Sequence, residues 1–135
     1  MAKSLFPDEM MKSGELSLET IAGKLAYFHE QLHLIHWQTT NDAEHRTTGA
    51  LYDYVHDFKD DVIEKLMGYM DKPIKAYKFE PIADGVSSKS VVNSLLVFAS
   101  NLKSFAEANK YHDISNLADA LSGEAAKTKN LLTRS

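Results

Sequence analysis

The chain of 135 residues contains no cysteine. That excludes disulfides, thiolate metal sites and a cysteine nucleophile, and it leaves the redox compartment open. No apolar run approaches the roughly 20 residues that span a bilayer. The opening residues, MAKSLFPDEMMKSG, lack the apolar stretch of a signal peptide. No membrane association and a cytoplasmic location are therefore expected. Positive charge is also scarce, with 15 Lys and Arg against 19 Asp and Glu and a net charge of −4. Such a balance gives no general attraction to nucleic acid or anionic lipid. The N-terminal arm offers only Lys3 and Lys12, so direct DNA binding is not expected.

What the chain does have is helical periodicity, in a length suited to one domain with a real core. Residues 1–16 show no lasting period and read as an arm with one helical turn at most; residues 17–135 read as the bundle. Ser17 is a good N-cap for a first helix, whose stripe is Ile21, Leu25, Phe28, Leu32 and Ile35, ending near Thr39. Asn41 with Glu44 resembles a capping box for a second helix. Its stripe is Leu51, Val55, Phe58, Val62, Leu66 and Tyr69, and Gly68 and Pro73 mark its end. Residues 71–88 hold Pro73, Pro81 and Gly85 and predict a long connection with a short helix around 74–79. Ser87 or Ser88 caps a third helix with Val91, Leu95, Phe98, Leu102 and Phe105 inward, stopping at Asn109. Asp113 is the expected cap of a fourth, with Ile114, Leu117, Ala118, Leu121, Ala125 and Leu132 inward. The expectation is an all-α, ferritin-like four-helix bundle whose long link lets the second and third helices run in the same direction.

Chemistry-bearing residues gather between His29 and Glu64, which hold five of the six histidines and the single tryptophan. On a helical wheel, Asp60 and Glu64 are neighbours on a face turned away from their own helix's core stripe. Ile63, Met67 and Met70 form a second apolar strip beside them, which suggests that a second subunit covers this side. His45 lies several turns away on the same helix. Two antiparallel copies of that helix would bring His45 of one chain to Asp60 and Glu64 of the other. Imidazole and carboxylate ligands of this kind suit iron, zinc or manganese. His29, His33 and His36 share one flank of the first helix. His36, beside Trp37, is the candidate ligand among them, and His29 reads as a boundary residue. His112, alone near a helix start, reads as structural or exposed. The formal E-x-x-H of Glu30 to His33 and D-x-x-H of Asp53 to His56 point away from the core stripes, so a di-metal centre inside the bundle is not expected.

The ordered set of His36-Trp37, His45, Asp60-x-x-x-Glu64 and the turn from Gly68 to Pro73 resembles the Dps family, the mini-ferritins that protect DNA in starved cells. The resemblance covers about Leu18 to Phe105. It implies a two-fold dimer, commonly built into a twelve-subunit shell, that oxidises ferrous iron with peroxide or oxygen and sequesters the product. It implies His36, His45, Asp60 and Glu64 as iron ligands and catalytic residues, and Trp37 as a neighbouring oxidisable aromatic. The turn after Trp37 is shorter than the family's. Keeping register from His45 backwards puts His33 rather than His36 at the first ligand position, so both stay open. Gly49 stands where many members carry another acid. The alternative is a non-enzymatic, oligomeric ferritin-like scaffold that has lost the metal site.

Overall fold

The computed structural model describes residues 16–134. Of the expected arm only Leu16 falls among them, buried in the core; the helical turn considered for that arm lies outside the described residues. Four helices follow: α1 (Leu18–Gln38), α2 (Asp42–Met70), α3 (Ser88–Asn109) and α4 (His112–Leu132). None of the described helices is long and apolar enough to cross a membrane.

The direction of each helix follows from what ties its ends. At one end of the bundle the Ser88 hydroxyl donates to the Glu44 carboxylate at 2.6 Å, joining the starts of α2 and α3. At the other end the Tyr69 hydroxyl lies 3.5 Å from the Asp113 backbone N–H, joining the finish of α2 to the start of α4. So α2 and α3 run in the same direction, as expected, and α1 and α4 run against them. The predicted stripes meet in one core. Leu25, Phe28, Leu32, Leu51, Val55, Val62, Leu66, Leu95, Phe98, Leu102, Ile114 and Leu121 are all buried in it, and the Phe28 and Phe98 rings stand 5.7 Å apart.

Most boundaries follow local chemistry. The Ser17 side chain accepts from Thr20 N–H, Asn41 from Glu44 N–H and Ser87 from Ser90 N–H. Each satisfies one of the donors that a helix start leaves over. Four expectations need correction. The capping box at Asn41 is only half made. Glu44 accepts from Thr39 and Ser88 instead of turning back to the Asn41 N–H, because two hydroxyls from neighbouring elements reach it first. Helix α2 ends between Gly68 and Pro73 as expected, at Met70, and the left-handed backbone of Asp71 (φ 53°) lets its N–H and that of Lys72 reach the Met67 carbonyl. Tyr69 leaves the core stripe; it is exposed and stacks on Tyr111 at 4.5 Å. Asp113 sits inside the first turn of α4, and Tyr111 holds the cap position without a side-chain bond. There Asp113 still opposes the positive end of the helix dipole.

The fourth correction decides the architecture. Residues 72–87 contain no helix. They form a strap, extended over most of its length, along α1: Lys75 N–H donates to Glu19, Gln31 exchanges two hydrogen bonds with the Ala83 backbone, and Gln38 donates to Asp84. From Glu19 to Gln38 the helix rises about 28 Å, at about 1.5 Å per residue. The nine steps from Lys75 to Asp84 cover about 30 Å when extended at about 3.3 Å each. A helix over 74–79 would shorten that path to about 22 Å, at about 1.5 Å per helical residue, and break the register. The strap lies so close to α1 that a Cβ on Gly23 would overlap the Lys78 carbonyl oxygen. Beside it Lys24 is buried, and burial pushes its ammonium down to about 8.

Gly23→Ala therefore lowers unfolding free energy by about 1–3 kcal/mol through overpacking. Gly68→Ala, with open space around it, raises it by up to about 1 kcal/mol through helix propensity. Urea unfolding of the two variants checks both signs.

Candidate metal centre on the outer face of the first two helices

The flank of α1 that carries His29, His33 and His36 lies against α2. Spacing of i, i+4 and i+7 stacks these side chains along one side of the helix. The structure divides them among three neighbourhoods rather than gathering them at one point. His36 meets His45, with rings stacked at 3.9 Å and 16° from parallel. His33 lies between Trp37 at 3.7 Å and Tyr52 at 4.0 Å. His29 also stacks on Tyr52, at 4.5 Å, and stands 5.3 Å from His56. The result is a continuous run of rings across the α1–α2 seam, with Trp37 exposed at its edge.

The pair at the turn is tied reciprocally. His36 Nδ1 lies 2.6 Å from the His45 carbonyl, and His45 Nδ1 lies 2.8 Å from the His36 carbonyl. A carbonyl only accepts, so each ring carries a proton on Nδ1, and in the neutral ring the lone pair lies on Nε2. A backbone carbonyl behind the imidazole is the support that metal-ligating histidines commonly have. Gly49 makes room for it. A Cβ there would sit 2.8 Å from His36 Cε1, so the position where the Dps resemblance leads one to expect an acid is occupied by an imidazole. His36, not His33, is the ring beside His45. At 3.9 Å the pair is also too close for both rings to hold one ion. Bonds of about 2.0–2.1 Å keep two imidazole centroids about 4.5 Å apart even at right angles.

Asp60 and Glu64 lie farther along α2, about 22 and 28 Å from His45 at about 1.5 Å rise per residue. Both are exposed. Hydrogen bonding and repulsion from Asp60 hold the Glu64 carboxyl above the usual range. They line an open groove of about 1010 Å³ together with His29, Glu30, His56 and Asp57. Among the described residues, no three His, Asp or Glu side chains already converge on one point. The apolar strip expected to need a second subunit is partly served within the chain: Ile63, Met67 and Met70 are half-buried and pack on the core, as does Ile74 of the strap.

His29 departs most from expectation. Its Nδ1 lies 3.2 Å from a Glu30 carboxylate oxygen. Its Nε2 is buried with no hydrogen-bond partner among the described residues, an arrangement that ordinarily costs about 1–3 kcal/mol. Tyr52 and Gln31 were also missed by sequence reasoning. Tyr52 neighbours the core stripe and carries no ligand chemistry, and Gln31 is a polar residue on a helix whose partner is 52 positions away.

The fold and this face define a four-helix bundle with a histidine-rich outer seam. No protein-family model, curated protein or solved structure matches the chain.

Burial lowers the His29 pKa, against the opposing pull of Glu30, while Lys59 and His56 lower it further. The unfolded chain, near 6.5 at this group, thus binds the proton more readily than the folded one. Stability from this group is present above about pH 6.5 and is lost as pH falls from there towards the lowered folded value. Chemical unfolding across that window shows the slope, and His29→Gln makes it shallower.

Proposed function

We propose that the chain is a Dps-like iron-handling protein that takes ferrous iron between two copies and oxidises it. In this reading two antiparallel α2 helices meet about a two-fold axis, and larger assemblies, up to a twelve-subunit shell, are built from that pair. An imidazole Nε2 from His36 or His45 of one chain meets Asp60 and Glu64 of the other. The single observation that carries the reading is the reciprocal pair at the turn, which leaves two carbonyl-backed imidazoles with bare Nε2 atoms. The ring stack limits each ion to one of them, or opens when iron enters. His33 stays beside Trp37 as a flanking ring. The crowded Asp60–Glu64 pair adds support, since a cation relieves the repulsion that keeps Glu64 protonated more readily than usual.

Two ferrous ions would each give one electron to peroxide. The O–O bond breaks, two protons are taken up, and two waters and two ferric ions result. Carboxylate and imidazole ligands favour the ferric product. Zinc or manganese would compete for the same donors. Iron is substrate and cargo here, and direct DNA binding forms no part of the reading. The second reading is an oligomeric scaffold without redox activity. It draws on the lack of three converging ligands within one chain among the described residues.

Anaerobic protein mixed with ferrous ion and then peroxide separates the two. Ferric absorbance should rise at least tenfold faster than in protein-free buffer, and His45→Ala and Glu64→Ala should each remove most of that gain. A rate equal to buffer overturns the iron reading and leaves the scaffold.

A further inference from the structure

We propose that His29 and His56 form an intrachain site for a divalent ion of the zinc type, with Asp60 as third ligand. The site uses different imidazoles from the iron reading, shares only Asp60 with it, and needs no second copy. Its two rings are prepared alike. Glu30 lies 3.2 Å from His29 Nδ1, and Asp57 lies 3.2 Å from His56 Nδ1. Asp57 hydrogen-bonds the His56 ring, and Glu30 faces the His29 ring as an ion-pair partner; a proton held on Nδ1 by either carboxylate leaves Nε2 as the ligating nitrogen. Carboxylate-backed imidazoles of this kind are the usual surroundings of zinc-bound histidine. The spacing also fits. An ion with metal–nitrogen bonds of about 2.0–2.1 Å holds two tetrahedrally placed imidazoles with centroids about 5 Å apart. The His29 and His56 centroids are 5.3 Å apart, whereas those of His36 and His45 are 3.9 Å apart.

The orphaned His29 Nε2 is the second observation. A buried lone pair on this ring has no donor among the described residues to satisfy it, and a cation supplies what the protein does not. Asp60 stands one helical turn beyond His56 and lines the same groove. It is exposed and reaches the ion by turning its own side chain; water completes the tetrahedron. Two imidazoles and one carboxylate match the donor preference of zinc better than that of calcium or magnesium.

Titration of the full chain with zinc chloride near neutral pH, followed by calorimetry, tests this. One zinc should bind per chain. His56→Ala should weaken binding at least tenfold, and because this side chain is 61% exposed the variant should keep its circular dichroism spectrum. Glu30→Gln, which removes the support behind His29, should weaken it about 10–100-fold. His112→Ala, exposed at the start of α4, should leave it unchanged. Cobalt(II) in place of zinc should give the intense visible absorption of a tetrahedral ion. Absence of zinc binding, binding that survives His56→Ala, or a pale octahedral cobalt spectrum overturns the proposal. Ferric formation that depends on His45 but not on His56 keeps this outcome separate from the iron reading.

Discussion

The architecture depends on a side chain–backbone clamp. Gln31 both donates to and accepts from the Ala83 backbone, at 2.9 Å each way. A buried glutamine amide with both ends satisfied is worth keeping, since leaving either end unmade would carry a desolvation cost. The clamp holds the strap parallel to α1 and brings its end to the start of α3. Helix α3 must therefore begin beside the start of α2, which is where Ser88 meets Glu44. Gly23 allows the close approach, since any side chain there would meet the Lys78 carbonyl. Helix direction, strap conformation and the absence of a fifth helix among the described residues are thus one constraint.

The same constraint shapes the histidine face. With the strap on one side of α1, the flank bearing His29, His33 and His36 is left to meet α2. Aromatic and imidazole rings fill that seam because each offers a flat apolar face and a polar edge. Their Nδ1 edges are engaged by carbonyls at the turn and by carboxylates in the groove. The seam therefore packs imidazole and aromatic rings in one continuous set of residues, with Tyr52 touching both His29 and His33.

Legibility in the sequence tracked the range of the interaction. Ser17, Asn41 and Ser87 cap the helices they were expected to cap, because a cap bonds within three residues of itself. The core stripes hold because a 3.6-residue period is written into adjacent positions. Glu44 was misread because its partners, Thr39 and Ser88, come from two other elements. Tyr69 was misread because the wheel gives its angle but not where the neighbouring helices stop. The side-by-side run of three histidines was legible; its division among His45, Tyr52 and His56 was not. That division depends on the rotation and stagger of α2 against α1.

By itself, the sequence determined four amphipathic helices, the caps of the first three and a long second connection, since these rest on local periodicity and near-neighbour hydrogen bonds. It also placed the histidines on one flank and the Asp60–Glu64 pair on another, by the geometry of single helices. Only the tertiary structure decided that the connection is an extended strap, that His36 pairs with His45, and that the His29 ring stands 5.3 Å from His56 with its Nε2 buried. Those outcomes are set by distances between residues far apart in the chain, and helical periodicity carries no information about them.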